Sequence, residues 1–468
     1  MPDAFNHNDY ENHRLKKIAE EFEDRLEKEE LFFIDLVQVD ELYQYYSTNG
    51  EWNRARGLIR FAIHTYPTNS GLYLKSAQID FEQKKHEEAL DGVEHALSLS
   101  PTSPDALFLQ SEILSRLDRY EEAIASLARL RIFAEDPVEV LLQMGNVAQI
   151  CRRPKESEAY YREALKLNPR YEEALFELAF LLESEEKTEA SVQVYEGYLE
   201  EYPYASKVWY NLGNLYRKIG KYEKSLDAYD FAIVIKEDFH SAHHNKGLLL
   251  LDLEKYEEAL QAFLHAHGLN KDDVHTLYYI AESYEQLESY HDAIRYYIKV
   301  SKLDPDYIDV WIGIGFCLEK REKYLEAIHY YKKALNLDSD SSDIHLALAI
   351  CEFKLGHRFN AYEHLERAIS LKPFEVSIWQ DWAQLLFDYD NYTGAITYLE
   401  EGIKRNPTAS ELYYHCAAYC YEAGLDEKGL TYLENALLID YHNHYMLFHH
   451  APGLRQDPDV MELIEQYR

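Results

Sequence analysis

The segment VWYNLGNLYRKIGKYEKSLDAYDFAI at 208–233 returns 102 residues later as VWIGIGFCLEKREKYLEAIHYYKKAL at 310–335, and 102 is three times 34. A fixed period of this length is the tightest constraint in the chain. Each period must be one supersecondary unit that cannot bury its apolar face alone and so stacks on its neighbours. With Trp209 set at position 4, repeats start at 36, 70, 104, 138, 172, 206, 240, 274, 308, 342, 376 and 410, and twelve of them run through 36–443 without insertion or deletion. Position 8 is small in eleven of the twelve, Tyr43 being the exception, and position 20 is small in all, from Ala55 to Gly429. Bulky residues recur at positions 4, 7, 11 and 24, as in Trp209, Leu212, Tyr216 and Tyr229. Within each repeat the apolar residues follow i, i+3, i+4, i+7 spacing, which is one face of a helix. Small residues let two such helices approach while bulky ones fill the surrounding grooves. Glycine at or beside position 15 (Gly50, Gly220, Gly356, Gly424) suits a helix C-terminus. Proline at position 32 of seven repeats ends the second helix. The pattern predicts an all-α chain, an α-solenoid of stacked antiparallel helix pairs.

Both ends depart from the period. Residues 1–35 read as a charged N-terminal helix, densest in charge over 8–30, that either covers the first repeat or stands in solvent. Residues 444–468 read as a C-terminal capping segment, in which HYMLFHHAPG begins a further first helix and breaks at Pro452 and Gly453. Terminal repeats need such covers because their outer faces are otherwise exposed apolar patches.

Composition removes several function classes. Against 48 Lys+Arg stand 84 Asp+Glu, a net charge of −36, so a phosphate backbone is repelled and nucleic acid is not an expected partner. A hydrophobic fraction of 47% argues for a packed core rather than a disordered acidic tail. No apolar run reaches membrane-spanning length, and the N-terminus has no secretory apolar stretch, so neither a membrane nor an export route is expected. Five cysteines do not make a disulfide scaffold. The expected compartment is cytoplasmic. No nucleotide-binding, zinc-protease or hydrolase motif occurs. The chain is read as no enzyme, with no catalytic residues, no cofactor and no metal. Cys416 and Cys420 occupy core positions 7 and 11, and Cys317 and Cys351 both fall at position 10, which suits buried thiols. Histidines cluster at His240, His243 and His244 and again at His442, His444, His449 and His450, but His243 stands at a packing position and the second set lies in an irregular segment.

The W-x-x-L-G-x-x-Y run at Trp209, Leu212, Gly213 and Tyr216, followed by Ser225, Tyr229 and Ala232, resembles the tetratricopeptide repeat family, and the resemblance covers about nine-tenths of the chain. It implies a right-handed superhelix of stacked antiparallel helix pairs. It also implies a concave groove faced by positions 2, 5, 6, 9, 12 and 13 of each first helix. Carried over, those positions hold large apolar residues such as Phe180, Phe316, Phe353, Phe387 and Tyr414. The middle repeats are chemically distinct. Repeat 6 offers Lys207, Tyr210, Asn211, Asn214 and Arg217, repeat 7 His244 and Asn245, and repeat 8 Tyr278, Tyr279 and Glu282. Asparagine amides can both donate and accept, and so clamp a peptide backbone. Lys207, Arg217 and Lys218 form a basic spot suited to a carboxylate. The carboxylate clamp that some family members use on chaperone C-termini is matched only at Asn214 and Asn245. Tyr210, His275 and Tyr279 stand where its cations would be, which removes most of the charge-assisted hydrogen bonding. The resulting expectation is a non-enzymatic protein–protein interaction scaffold or adaptor that binds a peptide or helix in its concave groove. The alternative is a structural assembly or self-associating subunit acting through its outer surface or ends.

Overall fold

The structure, a computed structural model, describes residues 7–28 and 32–468, with side chains from 14 onward except that of residue 27. The charged N-terminal segment therefore lies partly outside the described residues, at 1–6 and 29–31. Among the described residues there is no strand. The chain divides into two compact units, Met1–Gly220 and Lys221–Arg468.

The helices keep the 34-residue frame. First helices begin at position 1, as in Ser70–Glu82, Ser206–Lys218 and Ile308–Lys320, with Pro137–Ile150 starting one residue early. Second helices begin at position 17, as in His86–Leu99, Thr188–Glu201 and Tyr324–Leu337. The turn between them reverses the chain with a left-handed residue at position 15. That residue is glycine at Gly50, Gly220, Gly356 and Gly424, and non-glycine at the other eight, from Lys84 (φ 61°) to Asp390 (φ 57°). A left-handed non-glycine residue costs about 1–2 kcal/mol. Paired backbone bonds offset this at each turn: Glu322 N donates to Glu319 O at 2.8 Å and Lys323 N to Leu318 O at 2.9 Å, closing the orphan carbonyls of the helix end.

Two contacts set the stacking. Inside a repeat, position 8 faces the ring at position 24. A Cβ added at Gly145, Gly247 or Gly315 would lie 2.2, 2.7 or 2.6 Å from the ring of Tyr161, Phe263 or Tyr331, so these glycines allow a backbone approach that no larger residue fits. Between repeats, the polar tip of position 4 donates to the carbonyl at position 32 of the repeat before. Tyr73 Oη reaches Pro67 O at 3.1 Å, Trp209 Nε1 reaches Pro203 O at 2.8 Å and Trp311 Nε1 reaches Pro305 O at 2.9 Å. The proline that ends a second helix thus also anchors the next first helix.

In the first unit, helix His7–Glu27 packs on repeat 1. Phe22 is buried against Phe32 and Phe61, whose rings stack at 4.7 Å, and Tyr46 Oη donates to Glu23 at 2.9 Å. Tyr198, at position 27 of repeat 5 where alanine recurs elsewhere, accompanies a cleft of about 530 Å³ between helices Pro154–Leu167 and Thr188–Glu201.

In the second unit, the final helices Tyr445–His450 and Pro458–Gln466 bury Leu447, Val460 and Ile464 in the last core cluster. His415, 7% exposed, meets His450 edge-on at 4.2 Å. Burial, then the neighbouring imidazoles of His450 and His449, push His415 down to about 3.

Two predictions follow from this packing. Gly315→Ala gains about 1 kcal/mol of helix propensity but forces Tyr331 aside at a cost of about 1–3 kcal/mol, so the net change is a lower melting temperature. Gly197→Ala meets nothing within 4 Å and raises it, which thermal melts of the two variants check. His415 titrates lower folded than unfolded, so its stabilisation is complete above pH 6.5 and is lost as pH falls toward 3. Its share of the loss approaches about 1.4 kcal/mol per pH unit. Melts at pH 7 and pH 5 should show a steeper decline in the parent chain than in His415→Gln.

Candidate functional site

The residues singled out from the sequence fall in both compact units. In the first unit, helix Ser206–Lys218 carries Lys207 exposed and Tyr210, Asn211, Asn214 and Arg217 half-buried. Asn211, at position 6, shares a hydrogen bond with Tyr195 from the second helix of repeat 5, whose hydroxyl is pushed up by burial. Lys218 pairs with Glu183 at 3.1 Å. One amide and one cation on this face are thus already joined to the preceding repeat.

In the second unit, His244, Asn245, Tyr278, Tyr279 and Glu282 are all half-buried. His244 meets Phe263 and Tyr279 edge-on at 5.5 and 5.6 Å, Tyr278 stacks on Tyr307 at 5.1 Å, and Tyr278 and Tyr279 meet edge-on at 5.4 Å. His244 Nδ1 lies 2.9 Å from Thr276 Oγ1, Thr276 donates to Asp273, and His240 Nε2 lies 3.2 Å from the same carboxylate. Burial lowers the His244 imidazole, with Asp273 pulling the other way. The structure thus brings His244, Tyr278 and Tyr279 into one aromatic surface.

That surface runs into a groove that the sequence reading named only at Tyr278, Glu282 and Phe316. It has a volume of about 610 Å³ and is lined by first-helix residues of repeats 8 to 11. Tyr278, Ile312, Phe316, Leu346, Ala347 and Ile350 supply the apolar surface, and Glu282, Glu285, Asp309, Glu319, Asp343 and Asp381 supply carboxylates. In the repeat frame these are positions 2, 5, 6, 9 and 12, so reading the same positions onward through repeats 9 to 11 would have found the groove. Phe353 and Tyr414, expected on that face, are instead buried at 3% and 0% exposure. Their rings fill gaps between neighbouring helices, where apolar area is removed from water. Phe180 does face solvent, at 60% exposure.

Two of the groove glutamates are held the same way, one repeat apart. Tyr297 Oη donates to Glu285 Oε2 at 3.1 Å, and Cys317 Sγ donates to the same oxygen at 3.5 Å. Tyr331 Oη donates to Glu319 Oε2 at 2.9 Å, and Cys351 Sγ to it at 3.8 Å. Burial pushes both carboxyls up despite these donors. Glu282 is pushed up by burial and by the charges of Glu285 and Asp309. Cys317 and Cys351 are buried thiols pushed well up by burial, the protonated state that a donor requires. Among the described residues no group of three or more His, Cys, Asp or Glu side chains has a metal-binding arrangement. No described helix is long and apolar enough to cross a membrane.

Since Glu282 and Glu319 titrate higher folded than unfolded, each weighs against the fold above its folded pKa and less so as pH falls. The double variant Glu282→Gln/Glu319→Gln should melt higher than the parent at pH 7, and its advantage should shrink at pH 4.5. An equal gap at both values would show that the two charges are not the cause.

Family models agree with the repeat geometry. Three profiles described as tetratricopeptide repeat match residues 206–239, 308–341, and 142–206 with 244–308. No curated protein matches the sequence. Among solved structures, yeast Tom70 is 13% identical, with 92% of this chain and 99% of that one covered at a TM-score of 0.40. The Cut9–Hcn1 hetero-tetramer of the APC/C is 14% identical, covering 93% and 96% at 0.37. YrrB, described as a TPR protein with an unusual peptide-binding site, is 20% identical, covering 40% and 96% at 0.37. With its helices in the 34-residue frame and the family's profiles falling on that frame, the chain is a tetratricopeptide-repeat protein.

Proposed function

We propose that the chain is a non-enzymatic scaffold or adaptor that holds a peptide or helix of a partner protein against the first-helix face of its repeats. The observation that carries this reading is the groove of repeats 8 to 11. A continuous half-buried surface of Tyr278, Ile312, Phe316, Leu346 and Ile350 is left uncovered by the fold's own packing. An apolar surface of this kind lowers its free energy when a partner removes it from water. In the first unit, repeat 6 adds Lys207, Tyr210, Asn211, Asn214 and Arg217 as a second, more polar contact region; in the second unit, repeat 7 offers Asn245.

The test is affinity capture with three forms of the full chain: the parent, Phe316→Ser/Leu346→Ser, and Tyr210→Ala/Asn211→Ala/Asn214→Ala. A partner held by the parent and reduced at least tenfold on the first variant, with unchanged helicity, supports the groove. Loss on the triple variant alone would move the site to repeat 6. Equal capture by all three would move it to the outer surface or the ends and favour the assembly alternative, for which light scattering should then show a concentration-dependent oligomer.

A further inference from the structure

The groove is lined by many more carboxylates than cations. Its carboxylates Glu282, Glu285, Asp309, Glu319, Asp343 and Asp381 face a single lining cation, Lys320, whose ammonium lies over the Phe316 ring at 5.1 Å. Elsewhere in the same unit some acids do have a cation in contact: Lys323 with Glu326 at 2.7 Å, Lys428 with Glu400 at 2.6 Å, and Arg367 with Asp340 at 3.0 Å. Among the described residues no cation lies within 4.0 Å of Glu282, Glu285, Asp309 or Glu319. Asp343 has a cation partner, Lys372, at 3.1 Å. An adjoining hollow of about 680 Å³ shares Asp309, Ile312, Asp343 and Ile344 with the groove and adds Asp304, Asp306 and Asp338. Apolar surface and acid thus alternate along one continuous path.

We infer that this groove receives a basic segment of a partner protein in which apolar side chains are interleaved with lysines or arginines. The inference rests on the groove reading above and names the chemistry of its occupant. Apolar side chains would cover Ile312, Phe316, Leu346 and Ile350, and the cations would meet Glu282, Asp309 and Glu319. Glu282, Glu285 and Glu319 are half-buried and have no cation within 4.0 Å, so they have already lost part of their hydration and an arriving ammonium or guanidinium replaces water at less further cost than at an exposed carboxylate. It forms charge-assisted hydrogen bonds, which are about twice as strong as neutral ones. The tyrosine and cysteine donors hold Glu285 and Glu319 in fixed positions one repeat apart, so less side-chain freedom is lost on binding. Burial raises the carboxyls of Glu282, Glu285 and Glu319, the direction that a neighbouring cation would reverse.

The test is fluorescence anisotropy of labelled twelve-residue probe peptides with the full chain. One probe alternates lysine with leucine and phenylalanine, a second replaces every lysine by glutamine, and a third replaces every lysine by glutamate. The protein forms are the parent, Glu282→Gln/Glu319→Gln, Phe316→Ser, and an equal-charge control on an outer helix, Glu257→Gln/Glu258→Gln. The expected result is at least tenfold tighter binding of the lysine probe than of the glutamine probe, and no binding of the glutamate probe. The groove double variant should lose at least tenfold on the lysine probe, the outer control less than twofold, and added salt should weaken binding. Equal binding of lysine and glutamine probes, both weakened by Phe316→Ser, would overturn the basic occupant while leaving the groove reading standing. Lysine-probe binding lowered equally by the groove and outer variants, and untouched by Phe316→Ser, would reflect net charge alone and overturn both.

Discussion

The contact between a small residue at position 8 and an aromatic ring at position 24 sets the geometry on which everything else in each compact unit depends. Where position 8 is glycine, at Gly145, Gly247 and Gly315, the opposing ring occupies the space a Cβ would need. The two helices of the pair are thereby held at close range, and positions 4, 7 and 11 are committed to packing. What remains of the first helix, positions 2, 5, 6, 9, 12 and 13, is less fully committed to the pair, although Glu285 and Glu319 at position 12 accept from a tyrosine of their own repeat. In the second unit, the face proposed to bind a partner is drawn from this remainder in repeats 8 to 11.

Much of this was legible in the sequence, because a period of 34 carries the same information twelve times. The helix limits follow the frame almost residue by residue. The left-handed turn was legible only where glycine marks it. At Lys84, Asp118, Glu254 and five other positions a charged side chain occupies the same conformation, and nothing in composition separates it from a solvated helix end. The division after Gly220 was not legible either, since the frame runs through it without interruption.

The candidate site was legible in a lopsided way. Asparagines, histidines and cations stand out against an acidic background, so attention settled on repeats 6 to 8. The carboxylates of repeats 9 to 11 were part of that background, among 84 in the chain. What distinguishes Glu285 and Glu319 is burial and the lack of a cation within 4.0 Å, and neither quantity is written in residue type. Phe353 and Tyr414 depart in the opposite direction: a position that faces outward in the frame can turn its ring into the joint between helices, as Phe353 does against Trp382 and Tyr389 at 5.3 and 5.4 Å.

Glu285 and Glu319 also belong to the joints between repeats. Each accepts from a tyrosine of its own repeat and from a cysteine of the following one, on a single oxygen. One carboxylate is thus shared by two adjacent repeats and by the groove they line. A change in the charge state of that oxygen is felt on both sides of the joint at once. Under the proposed binding, a cation arriving at Glu285 or Glu319 would therefore act on the joint between two repeats, and so on the local bending of the solenoid, as well as on the groove surface.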